Sequence, residues 1–320
     1  MNSLVLASLS LPNLVSRLPG GVAQGIIWGI MALGVYITFR LLDVADLTVD
    51  GSFTTGGAVT VMLIIAGWPA WAALLAAVVA GLLAGLVTGL LHTKLGIPAI
   101  LAGILTQFAL YSINLRIMTK ANQTASVQKF GMFWENGNGF LLSSLHITQA
   151  ILVGLVIAAV IVALSYWYFG TEQGSAIRAT GANPSMSRAQ GININAMKVL
   201  GLSLSNGMVA LSGGLMAQYQ GFADINMGRG AIVIGLAAVI IGEVLCDAFF
   251  RKGCNFSVRL SFVILGGIVY YLVMVLILWL KLDPNDLKLF TAVIVAAFLA
   301  VPYLKGQAKS SFHRLKKGDK

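Results

Sequence analysis

The chain has 320 residues, of which 58% are hydrophobic and 10% are charged, and its formal net charge is +10. A water-soluble domain cannot bury this much apolar surface, whereas a polytopic membrane protein exposes it to lipid, so the composition predicts a multi-pass protein of the cell membrane. The charge does not indicate a nucleic-acid partner, because the basic residues crowd the carboxyl-terminal tail, 305–320, as the positive-inside rule expects.

Nine apolar windows are long enough to cross a bilayer as helices. They lie at about 22–39, 48–66, 70–91, 96–115, 147–169, 197–219, 231–249, 260–280 and 287–304. The residues before the first window are apolar and carry no basic residue before Arg17, so we expect a short interfacial segment and not a cleavable signal peptide. The predicted fold is all-α, with one transmembrane domain over 1–304 and a basic tail over 305–320.

The basic tail orients the predicted spans, because cytoplasmic loops carry the excess of Lys and Arg. With the tail and the carboxyl terminus in the cytoplasm, alternation puts the 170–196 loop inside the cell. The 116–146 loop and the amino terminus then lie outside. The outer loop carries aromatic and amide side chains, which fit either an interfacial aromatic belt or a docking surface for an extracytoplasmic binding protein.

Glycine interrupts several predicted spans, which indicates a tightly packed bundle with broken helices. Gly51, Gly56 and Gly57 fall in the second span. Gly85 and Gly89 in the third have the Gly-x-x-x-Gly spacing that lets two helices approach closely.

A faint internal repeat accompanies this pattern. Ala-Asp-Leu-Thr-Val at 45–49 resembles Ala-Asp-Ile-Asn-Met at 223–227, and each copy precedes a glycine-rich helix. An odd number of spans separates the copies, so the two halves are predicted to be inverted, as in many transporters.

Polar residues in and beside the spans are candidates for a substrate pathway, because placing them in lipid is costly. These candidates are Asp46, Asp50, Gln107, Tyr111, Asn114, Asn206 and Asp224. The alternative for each is helix capping or hydrogen bonding within the bundle. As a set, the stripe formed by Gln107, Tyr111 and Asn114 is the best prediction for a pathway wall, and helix amino termini near Ser52 and Ala231 are oriented to attract a substrate carboxylate.

The 170–196 loop is the longest polar interval between apolar spans, and its sequence predicts a short helix that ends near Gly181. It is either a solvated connector or a helix that couples the chain to a cytoplasmic ATPase. The chain has no phosphate-binding loop of its own, so ATP would be used by a partner subunit and this chain would bind no cofactor. The residues predicted to make the coupling contact are Glu172, Gln173, Gly174, Ser175, Arg178, Gly181 and Asn183.

Other classes of function find little support in the sequence. No Ser/His/Asp set indicates an enzyme. Cys246 and Cys254 have no second pair and no clustered His, so neither a metal site nor a disulfide framework is expected. An ion-coupled secondary transporter is the alternative, although no carboxylate lies at the middle of a predicted span.

Three segments resemble the permease subunits of ABC importers of the branched-chain amino acid and ribose type. They are 21–37, 46–53 and the loop 178–184 with 191–193. The Leu-Thr-Val-Asp-Gly-Ser-Phe run at 47–53 looks closer to the tryptophan-type, aromatic amino acid branch. The resemblance implies an importer of a small polar solute, namely an amino acid, with a sugar or nucleoside as the alternative. It also implies ABC ATPase subunits, an extracytoplasmic substrate-binding protein and a second permease copy, as a homodimer or a pair.

Overall fold

The computed structural model describes residues 11–125, 130–133, 139–250 and 254–279, and the single positions 289, 292, 293 and 296. Within these residues the chain forms ten α-helices. They are α1 Leu11–Tyr36, α2 Thr48–Ile65, α3 Ala70–Thr93, α4 Ala99–Met118, α5 Ile147–Gly170, α6 Glu172–Ala182, α7 Pro184–Ala189, α8 Ile194–Gln220, α9 Ala231–Phe249 and α10 Phe256–Trp279. A π-helical turn, Ile37–Leu41, extends α1, and β1 Asn122–Thr124 pairs antiparallel with β2 Phe222–Asp224.

Eight of these helices are long and apolar enough to cross a membrane, which confirms an all-α polytopic membrane protein and the first eight predicted spans. The ninth predicted span, 287–304, and the basic tail lie outside the described residues. The amino-terminal segment was predicted to be short, interfacial and continuous with the first span. Its described part is helical and continuous with α1, which includes Pro19.

Helices α1 and α8 form the centre of the bundle, and they run antiparallel. The Ser205 and Ser212 hydroxyls of α8 donate to the backbone oxygens of Gly34 and Ile27 of α1, both at 2.7 Å. α4 and α5 are peripheral and expose most of their apolar side chains. The two ends of the bundle are named here by what lies on them: the ribbon end carries β1 and β2, and the coupling end carries α6 and α7.

Glycine brings α3 against α8 at backbone distance. A Cβ atom at Gly81 or Gly85 would meet the backbone oxygen of Asn206 or Leu202, and one at Gly89 would lie 2.9 Å from the Cα of Val199. The close approach expected at Gly85 and Gly89 is therefore confirmed, and Gly81 extends it by one further turn.

Two of the helices begin part-way through the bundle and run in opposite directions. Ser52, in the first turn of α2, bonds to Asn206, which lies near the middle of the 27-residue helix α8. α2 runs from there to the ribbon end. α9 begins at a similar depth, where Gly235 packs on Val35 of α1, and it runs to the coupling end. This geometry is the one expected of inverted halves with discontinuous helices.

A disulfide joins Cys246 of α9 to Cys254, just before α10. No disulfide framework was expected from the sequence, and the pairing of these two cysteines corrects that expectation. The chain reverses direction between α9 and α10, and this reversal brings together two residues that are eight positions apart. The spacing alone did not indicate the turn.

Candidate functional site

A cavity of about 320 Å³ lies between α2, α4 and the turn that precedes α9. Its lining residues are Asp50, Gly51, Thr54, Gln107, Phe108, Tyr111, Asn114, Ile225 and Arg229. The predicted stripe on α4 thus forms one wall, and Asp50 of α2 forms part of the opposite wall. Four of the seven predicted pathway residues meet at this single cavity.

The packing of α2 on α4 sets the depth of the cavity. A Cβ atom at Gly51 would lie 3.2 Å from the Cα of Gln107, so the two helices touch at this level. α2 and α4 both run toward the ribbon end, and Asn114 lies two turns beyond Gln107. The cavity therefore occupies the half of the bundle nearer the ribbon end.

Asn114 is fully buried, yet neither its amide nitrogen nor its amide oxygen has a hydrogen-bond partner among the described residues. A buried amide without a partner loses its bonds to water and gains nothing in return, at a cost of about 1–3 kcal/mol. Such a group at the wall of a cavity is suited to bind a polar molecule that enters it.

Asp50 links the two helices that begin inside the bundle. Its carboxylate oxygens accept hydrogen bonds from the backbone N–H groups of Gly230 and Ile232, each at 3.0 Å, at the amino terminus of α9. The negative carboxylate is stabilised there by the positive end of the helix dipole. The amino terminus that was predicted to attract a substrate carboxylate therefore already binds a carboxylate of this chain.

Asp46 and Asn206 form a separate buried network and do not line the cavity. The Asn206 amide donates to a carboxylate oxygen of Asp46 at 2.7 Å, and its oxygen accepts from the Ser52 hydroxyl at 2.6 Å. The other oxygen of Asp46 accepts from the Thr48 N–H at 2.9 Å. These bonds fix the first turn of α2 to the middle of α8, which is a structural role.

Asp224, the last of the predicted pathway residues, lies on the ribbon. Its carboxylate accepts from the Asn226 N–H at 2.7 Å and from the Asn122 amide at 3.5 Å. It lines a smaller cavity of about 230 Å³, which also includes Trp28 and Phe53. Asp224 therefore lines a different cavity from Asn114.

At the coupling end, α6 packs on the bundle through a narrow apolar face. Ile177 is buried in a cluster that includes Leu42, Phe169 and Leu202. Gly181 packs directly on the backbone of Leu41, where a larger side chain would collide with the Leu41 oxygen. The helix starts at a regular cap, in which the Thr171 hydroxyl accepts from the Gly174 N–H.

The predicted coupling residues fall on two faces of α6. Glu172, Gln173, Ser175 and Asn183 are exposed, whereas Gly174 is buried and Gly181 is half-buried against the bundle. Arg178 is exposed, but its guanidinium lies 5.5 Å from the centre of the Phe256 ring and donates to the Ser175 hydroxyl. The two glycines and Arg178 therefore help to hold the helix in place, and the other residues face outward.

Comparison with known proteins identifies the family. Residues 18–302 match the family described as the permease component of branched-chain amino acid transport systems. The chain belongs to this permease family. It is 38% identical to a tyrosine transport system permease protein of Clostridioides difficile (strain R20291), over 92% of this chain and 94% of that protein. It is 34% identical to an uncharacterized protein of Rickettsia prowazekii (strain Madrid E), over 85% of this chain and 92% of that one. No solved structure matches the chain significantly.

The family confirms the resemblance drawn from the sequence, and the tyrosine permease agrees with the aromatic amino acid branch. Two residues that line the cavity of this permease, Arg229 and Phe108, were not predicted from the sequence. Arg229 lies in a polar turn that offered no helical periodicity, and Phe108 reads as one apolar residue among many in a span. The proximity of Arg229 to Asp50 depends on the turn before α9, and that of Phe108 depends on the packing of α2 against α4; no local sequence pattern encodes either.

Proposed function

We propose that this permease is the membrane-spanning subunit of an ATP-driven importer that carries an amino acid into the cell, with aromatic amino acids as its substrates. Membership of the amino acid permease family supports the general activity, and the tyrosine permease of C. difficile supports the aromatic side chain. ATP is hydrolysed by partner subunits, because this chain has no phosphate-binding loop. A second permease copy and an extracytoplasmic binding protein complete the proposed importer.

The observation that carries the proposal is the arrangement of α6. A polar helix is held against the end of a transmembrane bundle by Ile177 and Gly181, while Glu172, Gln173 and Ser175 face away from it. A solvated connector has no need of a capped helix with a defined buried face. This arrangement fits a helix seated in a groove of a cytoplasmic ATPase.

The contacts of α6 also suggest how ATP hydrolysis reaches the cavity. Ile177 and Gly181 touch Leu41 and Leu42, at the start of the connector that leads to Asp46. Asp46 is bonded to the first turn of α2, and that turn leads directly to Asp50 at the cavity wall. A displacement of α6 would thus move the segment that sets the position of α2.

The test is uptake of L-tyrosine into proteoliposomes that contain the permease and the ATPase that co-purifies with it. With the binding protein and L-tyrosine outside and ATP inside, uptake should require ATP. Uptake that follows an ion gradient without any ATPase would contradict the proposal and favour a secondary transporter.

The role of α6 is tested by Glu172→Arg. This exposed substitution leaves the buried face intact, so the thermal midpoint should stay within about 1–2 °C. ATP-dependent uptake should fall by about tenfold or more, because the substitution reverses a charge at the proposed docking contact. Lys94→Glu is the matched control, since it reverses an exposed charge in another loop of the coupling end. Equal uptake in the Glu172 variant and the wild type would remove α6 from the coupling contact.

A further inference from the structure

We propose that the cavity beside Asn114 binds the transported amino acid within a single permease chain, with the zwitterionic head group between Arg229 and Asp50. This inference rests on the proposed function and goes beyond it, because it names a substrate site and its chemistry. The residues that carry it are Asn114, Arg229 and Asp50, together with the aromatic side chains of α4.

The first step is the unpartnered amide of Asn114. It is fully buried and lines the cavity, so a ligand in the cavity is the polar partner that it lacks among the described residues. A carboxamide both donates and accepts hydrogen bonds, and it therefore suits a head group with a carboxylate and an ammonium. A lipid acyl chain would leave this amide unsatisfied.

The second step is the balance of charge at the wall. Asp50 already receives two backbone N–H groups from the start of α9, whose positive end offsets part of its charge. Arg229 is exposed. Among the described residues the salt bridge is that between Arg40 and Glu243, so Arg229 forms no ion pair with a carboxylate of the described chain. Its planar guanidinium is suited to bind a carboxylate through two parallel hydrogen bonds.

The third step is the position of the acidic group. Asp50 is the acidic residue that lines this cavity, and each of its carboxylate oxygens keeps a lone pair beyond the backbone bond that it accepts. The ammonium of the substrate is therefore assigned to Asp50 and the carboxylate to Arg229. Bound in this way, each charged group of the substrate faces a group of opposite charge at the cavity wall.

The fourth step is size and shape. A cavity of about 320 Å³ is at the small end of ligand pockets, which span roughly 300–1,000 Å³, so it fits one small solute. Phe108 and Tyr111 lie three residues apart on α4 and present two rings to the cavity, a surface on which an aromatic side chain packs well. The site lies in the half nearer the ribbon end, which the proposed orientation places toward the outside of the cell.

The experiment uses the purified permease with its co-purifying ATPase and three probes of nearly equal shape. L-tyrosine has both charged groups, tyramine lacks the carboxylate, and 3-(4-hydroxyphenyl)propionate lacks the ammonium. We expect L-tyrosine to raise the thermal midpoint of the wild type and both analogues to raise it much less. If the wild type imports a different amino acid, that amino acid and its decarboxylated and deaminated forms replace the three probes.

Two variants test the site, and a third is their control. Arg229→Gln should weaken L-tyrosine binding by at least tenfold and abolish the preference for L-tyrosine over tyramine. Asn114→Leu keeps the side-chain volume and removes an unpartnered amide, so the ligand-free protein should be as stable as the wild type or more stable, while the shift with L-tyrosine is lost. Arg116→Gln removes an exposed charge from the same end of α4, outside the cavity lining, and should bind L-tyrosine normally.

The outcomes separate this inference from the proposed function. If the wild type imports an amino acid with ATP but Arg229→Gln and Asn114→Leu bind and transport it normally, the site is wrong and the importer stands. Binding of tyramine as tight as that of L-tyrosine would also overturn the assignment to Arg229. If the wild type imports no amino acid, the proposed function itself fails. Should Asn114→Leu not fold, Arg229→Gln still decides the question, because Arg229 lies on an exposed turn.

Discussion

At the scale of single residues, the buried polar groups of this permease divide by whether they have partners. Asp46, Ser52 and Asn206 satisfy one another deep in the bundle, whereas Asn114 faces a cavity without a partner among the described residues. The first group stabilises the fold, because each member would be costly to leave unpaired. The Asn114 amide gains hydrogen bonds only when a polar molecule enters the cavity. In the sequence, both kinds are single polar residues in or beside apolar spans, so they cannot be told apart.

The structural role of Asp46 leads to a prediction. Asp46→Asn should destabilise the protein by about 2–3 kcal/mol, because the two carboxylate oxygens accept from the Asn206 amide and the Thr48 N–H, and the substitution turns one of these acceptors into an N–H group that faces a donor. A flip of the Asn206 amide does not relieve this, since its oxygen is held by Ser52 and its nitrogen also donates to the Leu202 oxygen.

Thermal unfolding in detergent measures this loss. Asp43→Asn is the control, because Asp43 is exposed and its left-handed backbone (φ 54°) is one that Asn adopts readily. A midpoint for Asp46→Asn equal to that of the control would show that the network contributes little to stability.

At the scale of elements, the bundle is held together by glycine stripes as much as by large apolar side chains. Gly81, Gly85 and Gly89 bring α3 onto the backbone of α8, and Gly25 and Gly29 of α1 do the same against Ile268 and Ile264 of α10. Lipid competes with apolar side chains for contact, so close backbone packing supplies much of the association between helices.

The contact between α3 and α8 gives a second prediction. Gly85→Ala should destabilise the permease by about 1–3 kcal/mol, because the added methyl group would meet the Leu202 oxygen and force the helices apart. Gly170→Ala makes the same chemical change at the end of α5, where the methyl group meets nothing within 4 Å, and should be neutral. Thermal midpoints of the two variants make the comparison, and equal values would mean that the bundle repacks around the methyl group at no cost.

Particular elements show what the sequence could and could not predict. The spans and the Gly-x-x-x-Gly contact follow from local composition, so hydropathy and spacing were sufficient to find them. The stripe of Gln107, Tyr111 and Asn114 was predicted because helical periodicity puts three polar residues on one face. Arg229 was not predicted as a cavity residue, and the sequence could not show that Asp50 lines the cavity whereas Asp46 does not. Both depend on the paths of the connectors that lead into α2 and α9, because these fix which residue faces the cavity. The disulfide between Cys246 and Cys254 was missed because it depends on the reversal of the chain between α9 and α10.

At the scale of the whole molecule, the architecture places α6 and the cavity on opposite sides of the middle of the bundle. α6 contacts the connector that leads into α2, and the cavity begins one turn further along α2. Asp50 then joins α2 to the first turn of α9 in the other half of the chain. One short segment therefore links the proposed ATPase contact, the proposed substrate site and both inverted halves, so a small movement of α6 has a direct mechanical route to the cavity.

This arrangement functions as an importer only if the ribbon end faces the outside of the cell, and that orientation gives the last prediction. In a background with Cys246→Ser and Cys254→Ser, Asn122→Cys on β1 should react with a membrane-impermeant maleimide in intact cells. Ser175→Cys on α6 should react only after the membrane is permeabilised. Both side chains are exposed in the permease itself, and the permease is expressed without ATPase subunits so that α6 stays uncovered; access to the reagent and not burial then decides the result. The basic residues at the coupling end, Arg40, Lys94 and Arg188, agree with a cytoplasmic location. Labelling of Ser175→Cys in intact cells would reverse the orientation, and with it the placement of the ATPase on α6.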